Sequence, residues 1–203
     1  MANQNKNYAV DIRGDLSAPP SPALWLVKWL LCIPHYIVLI FLWIAFFFVT
    51  IIAFFAILFT GRYPRGLFDF NVGVLRWSWR VGFYSYLALG TDKYPPFTLA
   101  TVEDYPAEIR VEYPEKLSHW LILFKWFLAI PHYLIMVILS GGMAAFSGLL
   151  AILVLYAAIV LLFTGKYNGD IFKLVIGINR WVYRVLAYVC LMTDEYPPFK
   201  LFE

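Results

Sequence analysis

Charge is scarce in this chain of 203 residues, and it is missing altogether from two long blocks. No Lys or Arg stands in residues 29–61 or 126–165, and no Asp or Glu in 16–68 or 116–169. Charged residues make up 14% of the chain and hydrophobic ones 62%, whereas a soluble domain carries roughly 25% charged residues. A globule of this composition would precipitate from water, so the composition predicts an integral membrane protein. Two cysteines, Cys32 and Cys190, are too few for a disulfide framework and read as small buried hydrophobes. The first residues do not read as a signal peptide, because no apolar stretch begins before about residue 23. Metal-ligand clusters, a nucleophile elbow, a P-loop and a dinucleotide fingerprint are all lacking, which implies no enzyme and no cofactor. The net charge of +3 is small, and it gives no reason to expect a nucleic-acid partner.

What is present is said twice. Lys28-Trp29 and Ile33-Pro34-His35-Tyr36 return as Lys125-Trp126 and Ile130-Pro131-His132-Tyr133, an offset of 97 (28 to 125). Phe59-Thr60-Gly61-Arg62-Tyr63 returns as Phe163-Thr164-Gly165-Lys166-Tyr167. Arg76-Trp77 and Arg80-Val81 return as Arg180-Trp181 and Arg184-Val185. Thr91-Asp92-Lys93-Tyr94-Pro95-Pro96-Phe97 returns as Thr193-Asp194-Glu195-Tyr196-Pro197-Pro198-Phe199. Tyr8 and Ile12-Arg13 also have counterparts, Tyr105 and Ile109-Arg110. Blocks repeated in one order mark a tandem duplication, with repeats at 1–100 and 101–203.

Each repeat opens on an apolar run, 22–60 or 117–164. As one straight helix the first run would reach about 58 Å, nearly twice a hydrocarbon core of about 30 Å. The run must turn back, lie partly in the interface, or tilt and project beyond the bilayer. Ser140-Gly141-Gly142 in the second run favours a turn, so a helical hairpin is expected in each, unmarked in the first near Leu42-Trp43. Thr-Gly-Arg/Lys-Tyr reads as the helix end. Segments 67–90 and 171–191 then carry a polar stripe at helical spacing: Asp69, Gly73, Arg76 and Arg80, or Lys173, Gly177, Arg180 and Arg184. They are expected to lie in the cytoplasmic leaflet as amphipathic interfacial helices, since a third span would put arginines in mid-bilayer. Short strands are expected at 8–12, 97–101, 108–112 and 199–202. The predicted fold is thus an all-α integral membrane protein with a small β element. It has four crossings of the inner membrane, an approximate two-fold along the membrane normal, and cytoplasmic termini by the positive-inside pattern.

Two sets of residues are candidates for function. Lys28 and His35, and likewise Lys125 and His132, stand two helical turns apart and share a face. They form either an intramembrane polar track, or a snorkelling lysine beside a histidine bonded to a carbonyl freed by proline. Arg76, Arg80, Arg180 and Arg184, beside Trp77 and Trp181, either bind anionic lipid phosphates or tie their helices to Asp92, Asp194 or the acidic linker. Asp92 and Asp194 themselves read as turn or cap residues. His119, without a counterpart, reads as lying at a helix start.

The blocks quoted above, in that order and spacing, resemble a family of bacterial membrane proteins known as domain of unknown function 4389, once per repeat over 24–97 and 121–199. The second repeat departs at Tyr167-Asn168-Gly169, where the first has Tyr63-Pro64-Arg65-Gly66, so no role of Arg65 carries over. The resemblance implies a membrane protein and supplies no activity or substrate. The residues themselves point to a non-enzymatic membrane scaffold or assembly subunit that binds anionic lipid and forms a homo-oligomer or joins a larger membrane complex. Trp25, Trp29, Trp43, Trp120 and Trp126 would be its interfacial anchors. The alternative is a channel or transport module using the Lys/His pairs.

Overall fold

The computed structural model describes residues 8–16, 19–140 and 148–202; the turn expected at Gly141-Gly142 lies outside them. The chain forms β1 (Val10–Gly14), α1 (Trp25–Leu31), α2 (Ile33–Thr60), α3 (Arg65–Tyr84) and β2 (Ala107–Val111). It continues as α4 (Leu121–Leu128), α5 (Ile130–Ser140), α6 (Leu149–Thr164) and α7 (Gly169–Val189). Pro34 and Pro131 set the breaks between α1 and α2 and between α4 and α5. Each is the second residue of the new helix, where its missing N–H is tolerated.

The hairpin expected within 22–60 does not form. Nothing between Ile33 and Thr60 interrupts the helix, which runs unbroken for 28 residues, about 42 Å at 1.5 Å per residue. The chain turns back only after Gly61, so that α3 packs along α2. With the first hairpin gone, the four-crossing count no longer follows. In the second repeat α5 and α6 do pack on each other. Ile33–Thr60 and Leu121–Leu139 are long and apolar enough to cross a membrane, and Leu149–Thr164 is apolar but shorter.

The helix ends fall where glycine permits them. Gly61 and Gly165 cap α2 and α6 at φ +68° and +66°, and their N–H groups bond the carbonyls of Ile57 and Leu161. A side chain in this left-handed conformation costs about 1–2 kcal/mol. A Cβ on Gly61 would also lie 2.7 Å from Nε2 of His119, while one on Gly165 meets nothing within 4 Å. Gly165→Ala should therefore cost about 1–2 kcal/mol and Gly61→Ala clearly more in thermal unfolding. Equal losses would show that His119 yields freely.

Three layers result. The outer two are the β1–β2 sheet and the apolar helices α1, α2, α4, α5 and α6; α3 and α7 fill the middle. The strands pair antiparallel with Ile12 opposite Ile109 and Arg13 opposite Glu108. Ile12 and Ile109 are counterparts, so a local two-fold passes through that pair. Trp79 and Tyr183, counterparts on α3 and α7 (an offset of 104, as from 76 to 180), meet with ring centroids 5.7 Å apart. The packing crosses over: α3 of the first repeat lies under β2 of the second, and α7 under β1 of the first.

Being sandwiched, α3 and α7 are core helices. Their polar stripe is covered from within the protein from Gly73 and Gly177 onward, while Asp69 and Lys173 at its start are exposed. The segment after Phe97 crosses α3 at Gly73, where a Cβ would come within 2.8 Å of Leu99 Cβ, and Leu201 crosses α7 at Gly177 in the same way. Segments 97–101 and 199–202, expected as strands, are irregular; in the first, arginines on α3 take the carbonyls of Thr98, Leu99 and Ala100 in place of a ladder.

Candidate functional site

The repeated blocks meet in space, so that within each repeat the Thr-Asp-x-Tyr-Pro-Pro-Phe segment closes over the kinked start of the long helix. Leu89 and Leu191, both buried, turn the chain toward these segments at φ 51° and 67°. That conformation is uncommon for leucine and repeats at counterpart positions.

Lys28 is fully buried. Its Nζ donates to the Thr91 carbonyl at 2.7 Å and lies 3.0 Å from Asp92 Oδ1, at ion-pair distance but without hydrogen-bond alignment. The Tyr84 ring sits 4.6 Å below it. Asp92 Oδ2 accepts the Ser21 N–H at 2.5 Å. Burial pushes the Asp92 pKa up, but the hydrogen bonding from Ser21 and the charge of Lys28 outweigh it and hold the carboxyl below its usual range. The second repeat copies this. Lys125 Nζ donates to the Thr193 carbonyl at 2.7 Å and lies 2.8 Å from Asp194 Oδ1, and Ser118 N–H donates to Asp194 Oδ2 at 2.7 Å. The lysines therefore do not snorkel toward headgroups. Asp92 and Asp194 cap Ser21 and Ser118, as their turn positions suggested, and neutralise the lysines as well.

His35 and His132, both fully buried, stack on Phe97 and Phe199 at 3.9 and 4.1 Å, with interplanar angles of 15° and 9°. Tyr94 and Tyr196 flank them at 4.9 Å. Trp77 Nε1 donates to His35 Nδ1 at 3.0 Å. An indole N–H only donates, so Nδ1 is the accepting nitrogen. The second repeat keeps the stack and lacks this bond: among the described residues neither nitrogen of His132 nor Trp181 Nε1 has a hydrogen-bond partner. The carbonyls near each proline break are bonded by tyrosine, not by histidine. Tyr94 Oη donates to Leu31 O at 2.9 Å and Tyr196 Oη to Leu128 O at 3.1 Å.

The arginines follow the crossover. Arg76 and Arg80 both engage Glu108 of the other repeat, Arg80 Nη2 at 2.9 Å from Oε2. Arg80 is fully buried, and its Nη1 and Nη2 also donate to the carbonyls of Thr98 and Ala100. Arg180 and Arg184 donate to the carbonyls of Ile12 and Val10 on β1 at 3.3 Å, and Arg184 stacks 5.1 Å from the Tyr8 ring. These side chains tie α3 and α7 to the crossing segments and strands. The acid that claims Arg76 and Arg80 comes from the linker rather than from Asp92. Tyrosines complete the crossover: Tyr105 Oη donates to Lys93 O at 3.1 Å and its counterpart Tyr8 to Glu195 O at 2.8 Å. His119 lies just before α4, as expected, with Nδ1 2.8 Å from the Leu58 carbonyl. Sequence reasoning missed Glu108, the two stacking phenylalanines and the two kink-bonding tyrosines; their repetition in both halves was the available signal for the aromatics.

No group of three or more His, Cys, Asp or Glu fit to hold a metal occurs among the described residues, and Cys32 and Cys190 are free. The family described as Domain of unknown function (DUF4389) matches residues 22–98 and again 120–200. No curated protein and no solved structure matches the chain.

Proposed function

The chain belongs to the DUF4389 family twice over, and from that premise we propose that it is a non-catalytic scaffold of the cell membrane whose two repeats form one rigid body. The observation that carries this reading is the inverted placement of polarity. Lys28, His35, Arg80, Lys125 and His132 are wholly buried, while Phe41, Phe47, Phe59, Trp126, Phe127 and Phe163 are more than 60% exposed. Water would reject such an exterior, whereas hydrocarbon accepts it. The most apolar parts of Ile33–Thr60 and Leu121–Leu139 are only 17% and 22% buried, whereas core helices of a soluble domain are mostly buried. Polarity also differs between the two outer layers, since the sheet exposes Asp11, Arg13 and Arg110. We place the apolar layer in the inner-membrane bilayer and the sheet in water on the cytoplasmic side, following the charge pattern.

The lysines of the sequence motifs are paired with carboxylates of their own repeat and the histidines are stacked against its phenylalanines, which favours a scaffold over a transport path. Trp29, Trp120 and Trp126, all more than half exposed, suit anchoring and contact with neighbouring membrane proteins or further copies. Alkaline carbonate extraction of membranes should leave the protein in the pellet, and native mass spectrometry in mild detergent should find a homo-oligomer or a constant partner. Release by carbonate would remove the membrane reading, and a clean partnerless monomer would remove the scaffold.

A further inference from the structure

Two guanidinium groups share one carboxylate at Glu108, and among the described residues no other carboxylate lies within ion-pair distance of Arg76 or Arg80. That cluster keeps an excess positive charge in a largely buried place, which is unfavourable unless an anion approaches. Beside it is a cleft of about 380 Å³ lined by Arg65, Asp69, Arg76, Thr101 and Tyr113 among others. The Arg65 guanidinium carbon lies over the Tyr113 ring, 4.4 Å from its centroid, and Arg65 Nε is 3.3 Å from Asp69 Oδ2. Arg76 uses Nε for Glu108 and Nη1 for the Leu99 carbonyl, and among the described residues its Nη2 makes no further bond. Thr101 lines the same cleft.

We propose that this cleft binds one phosphate-sized oxyanion, held between the guanidinium edges of Arg65 and Arg76. A planar fork on each side suits phosphate oxygens, and the excess charge supplies attraction that a neutral cleft would lack. The site exists once per chain, because Gly169 stands where the first repeat has Arg65. Asp69 is the internal competitor for Arg65. The site does not depend on the scaffold reading, since its ligand is either a free phosphate or the phosphate of a lipid headgroup.

The test is calorimetric titration of the detergent-purified full chain with inorganic phosphate, paired with lipid retention in nanodiscs of phosphatidylcholine with or without phosphatidylglycerol. One phosphate per chain is expected, weakened by salt. Arg65→Gln should weaken it at least about tenfold, the worth of one charge-assisted hydrogen bond. Asp69→Asn should tighten it several-fold, and Lys166→Gln should leave it unchanged. Arg65 and Asp69 are both exposed, so the variants should fold, which thermal melts can verify. Binding of inorganic phosphate sensitive to Arg65 assigns a soluble oxyanion. Phosphatidylglycerol retention sensitive to Arg65, without binding of free phosphate, assigns a headgroup. Binding in neither arm, or binding indifferent to Arg65→Gln and Asp69→Asn, overturns the proposal.

Discussion

Glu108→Gln is expected to destabilise the protein by about 3–5 kcal/mol, the cost of leaving buried charge without its counter-ion. Glu108 is 5% exposed and Arg80 0%, so water cannot replace the lost carboxylate. The amide still accepts one hydrogen bond but carries no charge, and two guanidiniums then face each other across it. Asp11 is the counterpart of Glu108 in the first repeat, by the offset that relates Ile12 to Ile109, yet it is exposed. Asp11→Asn should stay within about 0.5 kcal/mol. Chemical denaturation in detergent measures both; similar values for the two would mean that Glu108 does not hold the crossover together.

Lys28→Met is expected to cost about 2–3 kcal/mol, because it strips a donor from the Thr91 carbonyl and a cation from Asp92. The figure is below that for Glu108, since Asp92 keeps 28% exposure and water can partly solvate it. Lys28→Met with Asp92→Asn should recover part of the loss, because the uncompensated carboxylate is gone and the Ser21 N–H keeps an acceptor. Lys125→Met with Asp194→Asn repeats the experiment in the other half. Losses from the two halves should add within about 0.5 kcal/mol if the clasps act independently. A single-mutant loss no greater than that of an exposed lysine would remove the clasp as a source of stability.

Much of the architecture was legible in the sequence because it rests on local rules. The duplication, the apolar runs and the glycine-capped ends at Gly61 and Gly165 depend on residues close together in the chain. So did the shared face of Lys28 and His35, which both turn to one segment. What was not legible depended on residues far apart. Thr91 lies 63 positions from Lys28, and nothing local singles out Glu108 among Glu103, Asp104, Glu112 and Glu115. Strand alternation even argued the wrong way: Arg110 is exposed as the pattern implies, whereas Glu108 is drawn inward by two arginines. The polar stripe on α3 and α7 was real, but periodicity cannot say whether headgroups or the protein's own backbone lies opposite. The missing hairpin has the plainest reason. The turn was inferred by analogy with the glycine pair of the second repeat, and α2 contains neither Gly nor Pro after Pro34 to make one.

The crossing of strands between repeats imposes an order on synthesis. The first clasp joins Ser21 through Phe97, so it can close while the second repeat is still being made. β1 has no such early partner. Its ladder lies on residues 107–111, and the arginines that bond its carbonyls are at 180 and 184. Tyr8 donates to the carbonyl of Glu195, 187 positions away. At roughly 5–20 residues per second, β1 waits many seconds beside a membrane with its backbone groups unpaired. Contacts of such sequence separation are slow to form and leave an open strand edge meanwhile. The charged residues Asp11, Arg13 and Asp15 interrupt the apolar positions of that unpaired segment, the kind of charge that discourages edge-to-edge pairing before α7 arrives.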